Sequence, residues 1–577
     1  MVKRKGKPQG ILVRNASTGL QDTKTKVAES SEAVQEETPQ AEVPDALGDD
    51  VVPQTSSKKK KRKRGGIESK NVVEAAAEVR EEPEKCKEVS QTGALPAQAL
   101  GVAISALDGS HPPVLHSGNR EEFLAWFLWP LTPATFFSEY WEKKPLHIKR
   151  NRPDLYRDVF SKAALDDHLQ KDPGLAFGKY INLVRFDVET GKKIALSPER
   201  PPPGGPDPPR AEPKRVEAAW KSGASIQAMH PQQYHEPLWR LMAHLEGAFG
   251  SLFGANAYLT PAGDQGFAPH FDDVEVFMLQ LEGEKHWRLH APPAGEEYPL
   301  PREYSRDFTI EELGPQLLNC TVQPGDLLYL PRGTVHVGMA TEAAGFSHHL
   351  SASTYQKTSW SDIMEKVLVS ALGKAATESV DFRVGAPVNF LSFMGTWHEN
   401  AGLSEGEVAE QRGAFKRRFK SLLKSLEEFA DLDDVCDEMG VDFSAQRLPP
   451  PPVAASSSKA TPSVSADTLV RWTEPSAIRL VLTSDPDTSE PTVALFHSCA
   501  NEISLHMCRN TEVDEDVGCL RFEAATFLPA LRALHAAGAG IIRCGDLPLA
   551  DDDDKVMLCE NLLEAGVLQL ATGVADT

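Results

Sequence analysis

Nowhere in the 577 residues do eighteen consecutive apolar side chains occur, so the sequence offers no candidate membrane-spanning helix. The opening MVKRKGKPQG lacks the apolar stretch of a secretory signal, and the expectation is a soluble, intracellular protein. Cysteine is scarce. The eight thiols are scattered without a C-x-x-C pair, which reads as reduced, buried thiols and disfavours a thiolate zinc site. An excess of positive charge is also missing, since the chain carries −22 at pH 7. Residues 1–118 hold eighteen basic and seventeen acidic side chains, leaving forty-three and sixty-six for the remainder. So acidic a body repels nucleic-acid phosphates and favours a basic protein partner, though the same acidity also serves solubility.

Residues 1–118 are low in aromatics, rich in Ala, Glu, Ser, Pro and Lys, and without periodicity, which predicts a disordered tail. Within it KKKKRKR, Lys58 to Arg64, reads as a nuclear or nucleolar import signal, with a solvated charge run as the alternative. Helices are expected from Asn119, where Phe123, Leu124, Phe127 and Leu128 share a face, and again from Thr132, with Pro133 in the first helical position. The Pro-rich stretch 200–214 must be a surface loop. From Asn256 to Gln356, short alternating runs between Gly, Pro and Asp turns predict an antiparallel β-domain, a barrel or double-sheet jelly roll. Helical stripes follow at 361–373 and 414–432, then a linker, then a small α+β domain with helices near 526–537 and 553–564.

The chemistry gathers in APHFDDVEVFMLQLEGEKHWRL. On an extended strand His270 and Asp272 point one way and Phe271 the other. The pair is either a hydrogen-bonded surface contact or two-thirds of a metal site. Sixty-six residues on, VQPGDLLYLPRGTVHVG delivers His336 beyond a turn at Arg332-Gly333. Two imidazoles and a carboxylate on one face of an octahedral ion leave three positions open, the facial triad of non-haem Fe(II) oxygenases. A bidentate 2-oxo acid fills two and dioxygen the third. Lys285, on the strand after the turn, is then placed to pair with the distal carboxylate of that acid, and Ser351 to offer it a hydroxyl. Zinc is the rival metal, but a strand lysine has no function in a zinc site. His286, His290, His348 and His349 fit no ligand pattern and read as structural.

At these residues the sequence resembles the ribosomal oxygenases, the Jumonji-C-type 2-oxoglutarate dioxygenases that include bifunctional lysine-specific demethylases and histidyl-hydroxylases. The resemblance spans roughly 119–570 and rests on WPLTPATFFSEYWEKKPLHI, NAYLTPAGDQGFAPHFDDVEVFMLQLEGEKHWRL, QPGDLLYLPRGTVH and SASTYQ. It implies iron at His270, Asp272 and His336, with 2-oxoglutarate and dioxygen as cosubstrates. The cosubstrate residues it implies are Lys285, Ser351 and Asn256, and the substrate residues Asn182, Tyr258 and Ser353. Phe271 stands where the family usually has Tyr, on the side away from the metal.

The implied fold class is mainly β with helices: a double-stranded β-helix of the jelly-roll, cupin-like Jumonji-C kind, a helical dimerisation domain and a C-terminal winged-helix domain. The expected divisions are a disordered tail over 1–118, the oxygenase domain over 119–358 and the dimerisation domain over 359–446. A linker at 447–467 and the winged-helix-like domain at 468–577 complete them. The implied activity is hydroxylation of a histidine in a ribosomal protein, in the nucleus or nucleolus, by a homodimer without direct nucleic-acid readout. Demethylation of histone lysine is a second reading, and a non-catalytic nucleolar scaffold for basic ribosomal proteins a third.

Overall fold

The computed structural model describes residues 101–106, 120–187, 190, 192–198, 208–355, 357–396, 403–451, 463–485, 488–508 and 518–571. Lys58–Arg64 and the cap position Asn119 lie outside the described residues. Order begins earlier than the expected boundary at 118. Val102–Ser105 forms β1, paired in parallel with β2 (Leu146–Lys149). This Val-Ala-Ile-Ser alternation is only four residues long, too short for a window-based period to detect.

Helix α1 (Arg120–Leu128) buries Phe123, Leu124, Phe127 and Leu128 as its spacing predicts. Helix α2 (Pro133–Glu139) starts as its chemistry requires: Thr132 Oγ1 accepts from Thr135 N at 3.1 Å and Pro133 takes the first turn. There follow α3 (Lys162–Gln170), β3 (Ile181–Asp187), β4 (Lys192–Ala195), α4 (Pro213–Lys221), β5 (Ser225–Met229) and α5 (Glu236–Phe249). The Pro-rich segment ends sooner than expected. Ala211 is fully buried and Pro213 opens α4, where a missing N–H costs nothing.

The barrel strands are β6 (Phe253–Pro261), β7 (Glu275–Gly283), β8 (Lys285–His290), β9 (Gln316–Val322), β10 (Leu327–Leu330), β11 (Val335–Ala340) and β12 (Phe346–Thr354). They fall into a nine-stranded sheet, ordered β1-β2-β10-β7-β12-β6-β5-β3-β4, and a three-stranded sheet, β11-β8-β9. Alternation along β7 and β10 decides what packs where. Val276, Met278, Leu328 and Leu330 face Trp287, Leu289, Cys320 and Val322 of the small sheet. Phe277, Leu279, Leu327 and Tyr329 instead join the core under the helices. The central strands are thus buried on both faces, each large apolar side chain contributing about 1.5–3 kcal/mol. The turn between β7 and β8 needs Gly283: its φ is +61°, and a Cβ there would lie 1.8 Å from the Phe346 carbonyl oxygen.

The helical segment comprises α6 (Trp360–Glu378), α7 (Val380–Arg383), α8 (Phe390–Phe393), α9 (Glu405–Ser425) and α10 (Leu432–Gln446). The stripe expected as one helix over 414–432 breaks at a 3-10 turn, Leu426–Phe429, before α10. Val367, Ala371 and Ala375 of α6 are buried, with Leu426 sharing the cluster of Ala371 and Ala375. Met364, Leu368, Leu372, Phe419 and Leu423 remain exposed.

The C-terminal part has its own core around Trp472, Leu495, Leu531 and Leu562. It holds β13 (Leu469–Trp472), β14 (Ile478–Ser484), β15 (Pro491–His497), β16 (Cys519–Glu523), α11 (Ala524–Ala537), β17 (Ile542–Arg543), α12 (Asp552–Glu564) and β18 (Leu568–Leu570). Both expected helices are present, beside two three-stranded sheets, β17-β13-β18 and β14-β15-β16. The linker expected at 447–467 is not free at its ends. Leu448 is fully buried with its N–H donating to Glu246 at 2.8 Å, and Val464 joins the C-terminal core. A composition-based boundary cannot see these contacts, because Pro is compatible with a packed extended segment. Among the described residues no helix is long and apolar enough to cross a membrane.

Candidate metal and cosubstrate site

His270 and Asp272 do not lie within a regular strand. His270 makes an isolated bridge to His336 of β11, its N–H facing the His336 carbonyl at 3.5 Å and the His336 N–H donating back at 2.9 Å. The Gly333 N–H, in the turn before β11, donates to the Asp272 carbonyl at 2.9 Å. Backbone pairing alone therefore brings 270–272 against 333–336. Phe271 points away and packs with Phe308 and Val335, as alternation predicts.

The ligand-type atoms of His270, Asp272 and His336 all lie within 4.8 Å of one another. Asp272 sits between the imidazoles, Oδ1 3.9 Å from His270 Nε2 and Oδ2 3.9 Å from His336 Nε2. The tautomers are set from behind. His270 Nδ1 lies 2.8 Å from the Ala268 carbonyl and His336 Nδ1 3.1 Å from that of Thr334, so each Nδ1 is the donor and each Nε2 keeps its lone pair. Burial, with the neighbouring His270, pulls the His336 imidazole down to about 4, the neutral form that a metal requires. The residues present therefore fit a divalent ion held on one face.

A cavity of about 150 Å³ opens beside this cluster. Its walls include Lys285, Ser351, Asn256, Tyr258 and Ser353, so eight of the nine residues expected from the sequence share one chamber. Asn182 is the exception. It lies on β3, one strand behind the wall, and its Nδ2 donates to Gln227 Oε1 at 3.1 Å. Gln227 Nε2 in turn donates to the Tyr258 hydroxyl at 3.3 Å, so Asn182 reaches the chamber only through an intermediary. Cross-strand register, Asn182 to Gln227 to Tyr258, builds that relay, and no single-strand motif contains it.

Lys285 is 3 % exposed, with Nζ 4.7 Å from the centre of the Trp287 ring and one long contact, 3.4 Å, to Thr260 Oγ1. Burial pulls its ammonium down to about 7, with Asp264 partly opposing. It has no counter-ion within salt-bridge distance among the described residues, so the chamber is short of an anion. Gly338 of β11, in register with Trp287, makes room for that ring and for the lysine: a Cβ there would stand 2.7 Å from the Trp287 ring and 2.8 Å from Lys285 Cε.

His349, read from sequence as structural, also lines the chamber. The signal was available, because 349, 351 and 353 alternate onto one face of a strand. His286, His290 and His348 lie outside that lining and are hydrogen-bonded to Thr321, the Gly314 carbonyl and Glu282.

Residues 227–358 match the family described as the JmjC domain. The chain is similar to ribosomal oxygenase 1 of Danio rerio, 33 % identical over 522 residues, which cover 89 % of this chain and 91 % of that protein. It is 32 % identical over 452 residues to the bifunctional lysine-specific demethylase and histidyl-hydroxylase NO66 of Dictyostelium discoideum, covering 77 % and 82 %. Ribosomal oxygenase 2 of Mus musculus is 33 % identical over 470 residues, covering 79 % and 93 %. Among solved structures, the Escherichia coli ribosomal oxygenase YcfD aligns over 76 % of this chain and 98 % of its own, at 15 % identity and a TM-score of 0.38. A relative one-third identical along nine-tenths of both chains leaves one conclusion: this chain belongs to the ribosomal oxygenase family.

Proposed function

We propose that the chain is an Fe(II)- and 2-oxoglutarate-dependent oxygenase that hydroxylates a histidine of a ribosomal protein. The observation that carries the reading is the pairing of two unlike features in one chamber. A His-Asp-His cluster keeps both Nε2 lone pairs free, and beside it Lys285 is buried with no counter-ion in salt-bridge range among the described residues. When bound, iron and 2-oxoglutarate supply the oxidation, one oxygen atom going to the substrate C–H and the other to succinate as carbon dioxide leaves. The protein binds and orients. His270, Asp272 and His336 would hold the ion on one face, and Lys285 would pair with the far carboxylate of the cosubstrate. Ser351 and Asn256 line the wall between, and Tyr258 and Ser353 serve the substrate side. Asn182 acts on the substrate side through Gln227 and Tyr258.

Histidine is favoured over methyl-lysine as the target, although one relative carries both activities in its name. A methylammonium needs open aromatic faces. Here the Trp287 face is taken by Lys285 and the Tyr258 face by His349, stacked at 5.1 Å. The acidic exterior suits a basic ribosomal partner, and KKKKRKR supports nuclear or nucleolar residence. The uncovered residues of α6 and α9 support a two-fold homodimer through the segment 359–446, and the domain at 468–577 is assigned as winged-helix-like. The test is incubation of the purified chain with Fe(II), 2-oxoglutarate and unmodified ribosomal proteins. One oxygen added to a histidine, absent with His336→Ala, supports the reading; an unmodified histidine pool sinks it.

A further inference from the structure

Strand β12 presents His349, Ser351 and Ser353 to the chamber, and its register against β7 slips by one residue between His348 and His349. Such irregularities are common where a sheet re-aims a side chain beside a functional site. The His349 ring is 2 % exposed and clamped, stacked on Tyr258 at 13° and edge-on to Trp287 at 5.3 Å and 90°. Its Nδ1 is enclosed without a hydrogen-bond partner. Native interiors rarely leave such an atom unmatched. Lys285, across the same chamber, has the matching deficit: a buried ammonium with one long contact to Thr260. A buried ammonium with one long contact and an imidazole with no hydrogen-bond partner among the described residues, both lining one cavity, suit an anion that accepts from each.

We infer that His349 is a second donor to the distal carboxylate of the 2-oxo acid, acting with Lys285 to select a dicarboxylate cosubstrate. The inference rests on the oxygenase reading above and adds to it a residue with no motif of its own. Burial and the charge of Lys285 hold the imidazole neutral, so the nitrogen that opens to the chamber can donate one N–H without repelling the ammonium. The stack on Tyr258 fixes the ring plane before the ligand arrives, which reduces the ordering cost of binding.

The test is isothermal titration calorimetry on the full chain loaded with Mn(II), comparing 2-oxoglutarate with 2-oxopentanoate, which lacks the distal carboxylate. His349→Phe keeps the stack and removes both nitrogens. Its 2-oxoglutarate Kd should rise about tenfold or more, while the 2-oxopentanoate Kd stays within about twofold. An equal loss for both ligands would make His349 merely structural, and no loss for either would remove it from the site; each result overturns the inference. If the Phe variant does not fold, His349→Leu, smaller and equally without a donor, is judged by the same ratio. A wild-type chain that binds neither ligand would instead refute the cosubstrate site itself, a failure distinguishable from that of His349 alone.

Discussion

Replacing Lys285 with methionine should make the ligand-free protein more stable while destroying its affinity for 2-oxoglutarate. Lys285 is 3 % exposed, and its ammonium is pulled from the usual 10.5 down to about 7, chiefly by burial. At about 1.4 kcal/mol per pH unit, the charged form is disfavoured by roughly 5 kcal/mol. The Trp287 face offsets part of this where Nζ sits 4.7 Å from its centre, by about 1–2 kcal/mol. The net gain from methionine at pH 7 is therefore about 3–4 kcal/mol, at the upper end of the range seen when buried charges give way to apolar side chains.

The sign with pH follows from linkage. The folded-state value lies below the unfolded one, so the unfolded chain binds the extra proton between pH 7 and 10.5. The wild-type penalty is complete below pH 7 and relieved as pH rises through that window, so the advantage of methionine should shrink from pH 7 to pH 9. Urea denaturation of both proteins at the two pH values measures the first half, and titration of 2-oxoglutarate into the Mn(II) form the second. A methionine variant less stable at pH 7, or one that still binds 2-oxoglutarate normally, refutes the reasoning.

Asp272→Ala or His336→Ala should lower Mn(II) affinity at least tenfold in equilibrium dialysis and abolish turnover, with the far-ultraviolet circular dichroism unchanged. Gly338→Ala should displace both the Trp287 ring and the Lys285 stem, since the new Cβ would stand 2.7 Å from the ring and 2.8 Å from Cε. The expected readout is a 2-oxoglutarate KM raised about tenfold or more, with metal affinity little affected. Leu423→Asp or Phe419→Asp, at positions 52 % and 60 % exposed in the single chain, should yield monomers by light scattering, because the dimer would bury the new carboxylate at a cost of several kcal/mol. A wild-type chain already monomeric at micromolar concentration would exclude the dimer.

Much of this site could be read along the chain because its chemistry repeats at the period of a strand. His270 and Asp272 are two apart, Ser351 and Ser353 likewise, and the lysine follows a Gly turn. The same period placed His349 on the wall beside the two serines, yet no ligand pattern drew attention to it. β1 is too short for a period to reveal, and composition does not register the contacts at the packed ends of the linker. Asn182 lies one strand behind the wall, since the sheet order puts β5 between its strand β3 and the wall strand β6.

By itself, then, the sequence determined which elements form and which polar residues share a face, since both depend on neighbours within a few positions. It also determined the net charge of −22. Only the tertiary structure decided that His270 meets His336 across sixty-six residues, that Lys285 loses its water, and that His349 is clamped between Tyr258 and Trp287. The reason is physical. Desolvation and cross-strand register are properties of what lies on the other side of a sheet, and chain order does not record them.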